Sequence, residues 1–66
     1  MAADDDKIAE AFVDALAAFL MADQQGKATT AHRSATARAR AAADKLPIDD
    51  YVAAVKRAFR AAGLTA

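Results

Sequence analysis

From Lys27 to Lys45 the chain carries no apolar side chain larger than alanine, whereas the stretches on either side space theirs at steps of three and four. That spacing is helical, because side chains three and four residues apart stack on one face of a helix. In the first stretch Ile8, Phe12, Leu16, Phe19 and Leu20 form the stripe, with Val13 on its edge. They cover an arc of about 140°, and Lys7, Glu10 and Asp14 fall on the far side. Asp4, Asp5 or Asp6 suits the start of this helix, where a carboxylate meets free amides and the positive end of the dipole. Gly26 suits its end, since glycine tolerates the left-handed backbone of a C-cap. Met21 projects to the polar side. The predicted helix spans about residues 5–25.

The middle stretch has high helix propensity and no Pro or Gly after Gly26. Ala28, Ala31, Ala35, Ala39, Ala42 and Leu46 recur at a period near 3.6 and predict a smooth inner face on a helix of about residues 28–45. Arg33, Arg40 and Asp44 share one flank, and Lys27, Ser34, Arg38 and Lys45 the other. Thr29 or Thr30 is its expected N-cap. Pro47 stops the helix, because it has no amide proton and disfavours helical geometry in the residue before it. A third helix is expected over about residues 49–62, capped by Asp49. Ile48, Tyr51, Val52, Val55, Phe59 and Ala62 point inward on it, and Lys56, Arg57 and Arg60 point out. Gly63 and Leu64 fit a Schellman closure with Leu64 packed back on Phe59.

Three helices with two breaks predict one all-α domain over residues 1–66: a three-helix bundle, or a helical, hairpin-like chain that packs as an oligomer. Composition favours association. Alanine fills 22 of the 66 positions, and beyond Met1 only fourteen side chains are apolar and larger than alanine. At roughly 1.5–3 kcal/mol per fully buried large side chain, against about 1.5 kcal/mol of entropy per ordered residue, such a core is thin. Self-association or a protein partner would add to it. The net charge is zero but unevenly placed, with six acids against Lys7 in residues 1–25 and five bases against Asp44 in residues 26–46. The simplest expectation is an acidic first helix lying beside a basic second one.

Several classes of function find no support. The chain has no Cys, hence no disulfide and no thiolate metal site, and a reducing cytoplasm suits it. The uncharged run Ala15 to Ala22 is far short of the ~20 residues a membrane span needs, and the early aspartates are unlike a secretory signal. His32 is the single histidine, and Ser34, two residues on, projects from another side of the helix. Asp4, Asp5 and Asp6 lack the glycine and distal glutamate of a calcium loop. Gly26-Lys27-Ala28-Thr29-Thr30 lacks the upstream glycine and preceding strand of a phosphate loop. No catalytic residue, metal or cofactor is assigned.

Val55 to Ala66, reading VKRAFRAAGLTA, resembles the first helix and turn of a helix-turn-helix module. The resemblance covers twelve residues and does not reach the helix that in that family reads the major groove. It is assigned to helix-capping chemistry, and no family is implied.

The expected function is therefore that of a small, non-enzymatic helical interaction module. It would be a homo-oligomer or an accessory subunit of a larger assembly, such as a phage particle or a regulatory complex. Phe12, Leu16, Phe19, Tyr51, Val55 and Phe59 are the core or interface residues, since aromatic and large aliphatic groups dominate interface energetics. The alternative is nucleic-acid binding through Arg33, Arg38 and Arg40 on the middle helix.

Overall fold

The computed structural model describes residues 2–64. Thr65 and Ala66, the last residues of the helix-turn-helix resemblance, lie outside them. The described chain is all-helical: α1 (Ala2–Gln24), α2 (Thr30–Ala43) and α3 (Ile48–Ala61). α1 begins before the aspartates, so Asp4 and Asp5 sit within its first turn, where they complement the dipole. Both predicted glycine closures form. Gly26 and Gly63 have φ of 67° and 75°. Lys27 N donates to Ala22 O at 2.8 Å and Gly26 N to Asp23 O at 3.0 Å; Leu64 N donates to Phe59 O at 2.9 Å and Gly63 N to Arg60 O at 3.0 Å. Each pair is a Schellman motif. The Leu64 side chain nevertheless stays exposed, so the closure rests on its hydrogen bonds.

α3 starts differently from expectation. Pro47 occupies the N-cap position, its carbonyl accepting from the amides of Asp50 and Tyr51, both at 3.0 Å. Asp49 and Asp50 lie in the first turn and act on the dipole without capping.

The helices pack with α1 in the middle. Both α2 and α3 lie along it, and they scarcely meet each other. The Cα extents, 37 × 28 × 15 Å, fit this arrangement. Three parallel helices packed as a triangle would measure roughly 14 Å in both transverse directions, so the molecule is drawn out in one of them into a flattened slab. α1 and α3 run the same way: Asp5 and Asp6 lie near Asp50, Glu10 meets Arg57, and the Gln24 amide donates to Ala62 O at 2.9 Å. α2 runs antiparallel on the other edge, where the Thr36 hydroxyl lies 3.3 Å from Ala15 O while bonding His32 O at 2.9 Å.

The core is made largely of alanine. Phe12, Val13, Ala17, Ala43, Leu46, Ala54 and Ala58 are its buried members, with Ile8, Ala9, Leu16, Ala39, Tyr51 and Val55 packed partly against them. α2 buries Ala43 and turns Thr36 and Ala39 toward α1, leaving Ala31 and Ala35 exposed. Its inner face is thus rotated from the predicted alanine stripe, because Thr36 reaches a carbonyl of α1 and Ala43 seats in the core. α3 departs further. It buries Ala54, Ala58 and Ala62, which step by four, and leaves Ile48 72% and Val52 40% exposed, with Val55 and Phe59 between. The expected inward face is therefore corrected in part: Ala62, Tyr51 and Val55 pack inward as expected, while Ala54 and Ala58 of this alanine ridge take the buried places that Ile48 and Val52 were expected to hold, because small side chains let two helices approach closely.

This packing predicts that adding hydrophobic bulk to the ridge harms the fold. Ala58, fully buried, should cost about 1–3 kcal/mol when replaced by Leu. Trimming exposed Val52 to Ala should change stability by about 0.5 kcal/mol or less in dilute solution. Urea denaturation followed by circular dichroism checks both, and the reverse order would refute the ridge.

Candidate interaction face

The slab has two broad faces of different chemistry. On α3 the alanine ridge divides them: Tyr51 lies to one side, and Arg57 to the other. The Tyr51 ring stacks on Phe12 of α1, with centroids 5.3 Å apart and planes 28° from parallel. Tyr51 and Phe12 therefore look to the same side of the slab. Val55 and Phe59 follow Tyr51 along α3, and Leu16 and Phe19 follow Phe12 along α1, all half-buried. Ile48 and Val52 stand at the outer margin of this face. A shallow depression of about 420 Å³ continues it toward α2, lined by Arg40, Asp44, Leu46, Ile48 and Tyr51.

The opposite side of the α1/α3 seam is polar. Arg57 Nη2 donates to Glu10 Oε1 at 2.6 Å, the one ion pair among the described residues. The Glu10 hydrogen bond and charge raise the Arg57 pKa. This pair replaces the expected pairing of acidic α1 with basic α2. α2 meets α1 through Thr36, Ala39 and Ala43, so its bases emerge on the outer flanks instead. A small cleft of about 170 Å³ lies beside the pair, lined by Asp5, Asp6, Ala9, Asp50, Ala53, Ala54 and Arg57. Among the described residues no group of three or more His, Cys, Asp or Glu could hold a metal ion, and no buried side-chain polar atom lacks a partner.

The sequence-predicted residues separate accordingly. Phe12 is core, 2% exposed; Leu16, Phe19, Tyr51, Val55 and Phe59 share its face and remain half open. Arg33 and Arg40 emerge on one flank of α2 and Arg38 on the other, all exposed. The face also holds two residues the sequence reading did not single out as a site, Ile48 and Val52. The clue was the step of four through Ala54, Ala58 and Ala62, which offered a second surface for burial.

His32 has a structural task. Thr29 is the N-cap of α2: its Oγ1 accepts from His32 N at 3.2 Å, and its own amide donates to His32 Nδ1 at 3.2 Å. The ring thus fills the place that Glu or Gln takes in a capping box, and it needs Nδ1 free of a proton to accept. No helix among the described residues is long and apolar enough to cross a membrane. Comparison with protein-family models, with characterised proteins and with solved structures finds no match to this chain.

The cap yields a second prediction. Thr29→Ala should lower stability by about 1 kcal/mol, and His32→Gln should retain most of what His32→Ala loses, because Gln can accept the same amide. Thermal melts of the three variants test this; equal loss in both His32 variants would count against the ring as a cap.

Proposed function

We propose that this protein is a small, non-enzymatic interaction module that docks through the face formed by α1 and α3. One observation carries the reading: Ile48 and Val52 are exposed beside half-open Val55, Phe59, Leu16 and Phe19, in a chain with few large apolar groups to spare. Leaving a large aliphatic side chain in water forgoes about 1.5–3 kcal/mol. Contiguous apolar surface of this kind marks association sites in soluble proteins. Tyr51 and Phe59 supply the aromatic character favoured at binding hot spots. Accessory duty within a larger assembly and a cytoplasmic home belong to the same reading; the absence of Cys supports the latter.

Nucleic-acid binding is the weaker reading. Arg33 and Arg40 point to one side of α2 and Arg38 to the other, so they do not make one ridge along a phosphate backbone. No aromatic residue stands among them to stack on bases.

The test is a double variant, Ile48→Ser/Val52→Ser. It should keep the helical content and dilute-solution melting temperature of the parent while weakening association, with itself or with a partner, by about tenfold or more. Sedimentation across concentration and pull-down from the native source read the outcome. A parent chain that is monomeric throughout and binds no partner would refute the proposal.

A further inference from the structure

Resting on the interaction-module reading, we infer that the occupant of this face is a second copy of the chain, its α3 packed antiparallel on the first across a two-fold axis. The argument starts from spacing. Ile48, Val52, Val55 and Phe59 follow one another by four, three and four residues, the interval of a two-helix seam. The series reads the same in both directions. An inverted copy therefore brings Ile48 opposite Phe59 of the other chain and Val52 opposite Val55, with every apolar group matched.

Charge supplies the second, independent argument. About a quarter turn beyond the apolar ridge, away from the alanines, α3 carries Asp49, Lys56 and Arg60 on one flank, all exposed. A two-fold axis normal to an antiparallel helix pair keeps each flank against the same flank of its mate. In the register that matches the apolar groups, Asp49 falls between Lys56 and Arg60 of the other copy, one turn apart. The symmetry repeats the contact, so two acids meet four bases. A parallel two-fold pair would instead set this flank against the opposite flank of its mate, where Tyr51 stands, and Asp49 would meet no base. Inversion also opposes the helix dipoles. None of these three charged side chains is in an ion pair within the described residues, so all are free to engage a mate.

The other flank of the ridge holds Tyr51, whose ring already stacks on Phe12. The mate is thereby received by a face whose aromatic groups are fixed in place. α3 is about 21 Å long, and Leu16 and Phe19 on α1, on the same side of the slab, extend the buried area beyond the seam.

Two variants test the inference without an outside partner. Asp49→Lys sets like charges in contact, and so does Lys56→Glu/Arg60→Glu. Each alone should dimerise at least about tenfold more weakly than the parent by sedimentation. Mixed, the two set the introduced lysine of one chain between the introduced glutamates of the other, and they keep the remaining Asp49 between the native bases of its mate. Association of the mixture should return to within about threefold of the parent.

Should a charge variant lose helical content, cysteine pairing takes over, in a chain that has no Cys of its own. Val52→Cys and isotopically labelled Val55→Cys, oxidised together, should give the mixed disulfide well above the half expected by chance. A parent dimer indifferent to charge reversal, or one giving mainly Val52→Cys homodimers, overturns the antiparallel seam. A parent monomer that binds a different protein in an Ile48- and Val52-dependent manner overturns self-pairing and leaves the interaction-module reading intact. A monomer with no partner at all overturns both.

Discussion

The close approach of α3 to α1 over Ala54, Ala58 and Ala62 governs the rest of this structure. Once that ridge is the contact, Tyr51 falls on Phe12 and closes the core at one side of the seam, and Arg57 falls within reach of Glu10 at the other. The remaining apolar residues of α3 are then committed to the slab's outer face, since they sit a quarter turn from the ridge. Helices that meet through small residues gain contact along their backbones and lose little side-chain entropy, because alanine has none to lose. A chain that is one-third alanine can therefore dock two helices on a third with few large groups in the middle. Phe12 is the exception. It is the sole aromatic among the core's buried residues, and the packing of α3 is keyed to it.

α2 is held by smaller means. Ala43 is fully buried, Leu46 closes the corner before Pro47, and the Thr36 hydroxyl reaches toward a carbonyl of α1. At its start, the Thr29 and His32 box supplies order that packing alone would not. Charge contributes little here, since the bases of α2 stand in solvent and exposed ion pairs are worth at most tenths of a kcal/mol to about 1. The asymmetry of charge along the chain thus does not set which helices meet. That choice belongs to small apolar contacts, which composition cannot rank.

Three helices, their breaks at Gly26 and Pro47, and the inward stripe of α1 were legible from spacing and capping chemistry, with boundaries off by one to three residues. Phe12 was legible as an anchor because it lies at the centre of its stripe. The rotation of α2 and α3 was not. A helical wheel ranks faces by side-chain size, and on α3 it favours Ile48, Val52 and Phe59 over Ala54 and Ala58. Which face is buried depends instead on how near the neighbouring helix can come, a property of both helices that neither reveals alone. His32 illustrates the same limit: its service as acceptor to Thr29 depends on ring geometry that spacing does not reveal.

The exposure of Ile48 and Val52 follows from this geometry, and it has a direction. Turning α3 by a quarter turn would carry the large side chains onto α1, yet it would separate Tyr51 from Phe12, take Arg57 away from Glu10 and expose the alanines. Bulk at the contact would also hold the two helices apart and loosen the packing around Val13 and Ala17, both now buried. The folded chain thus keeps its tight seam by setting its larger aliphatic groups along one face. A core assembled from small residues and a surface assembled from large ones are two results of one arrangement. Ile48 and Val52, which the slab leaves uncovered, thus stand one turn apart on that one face.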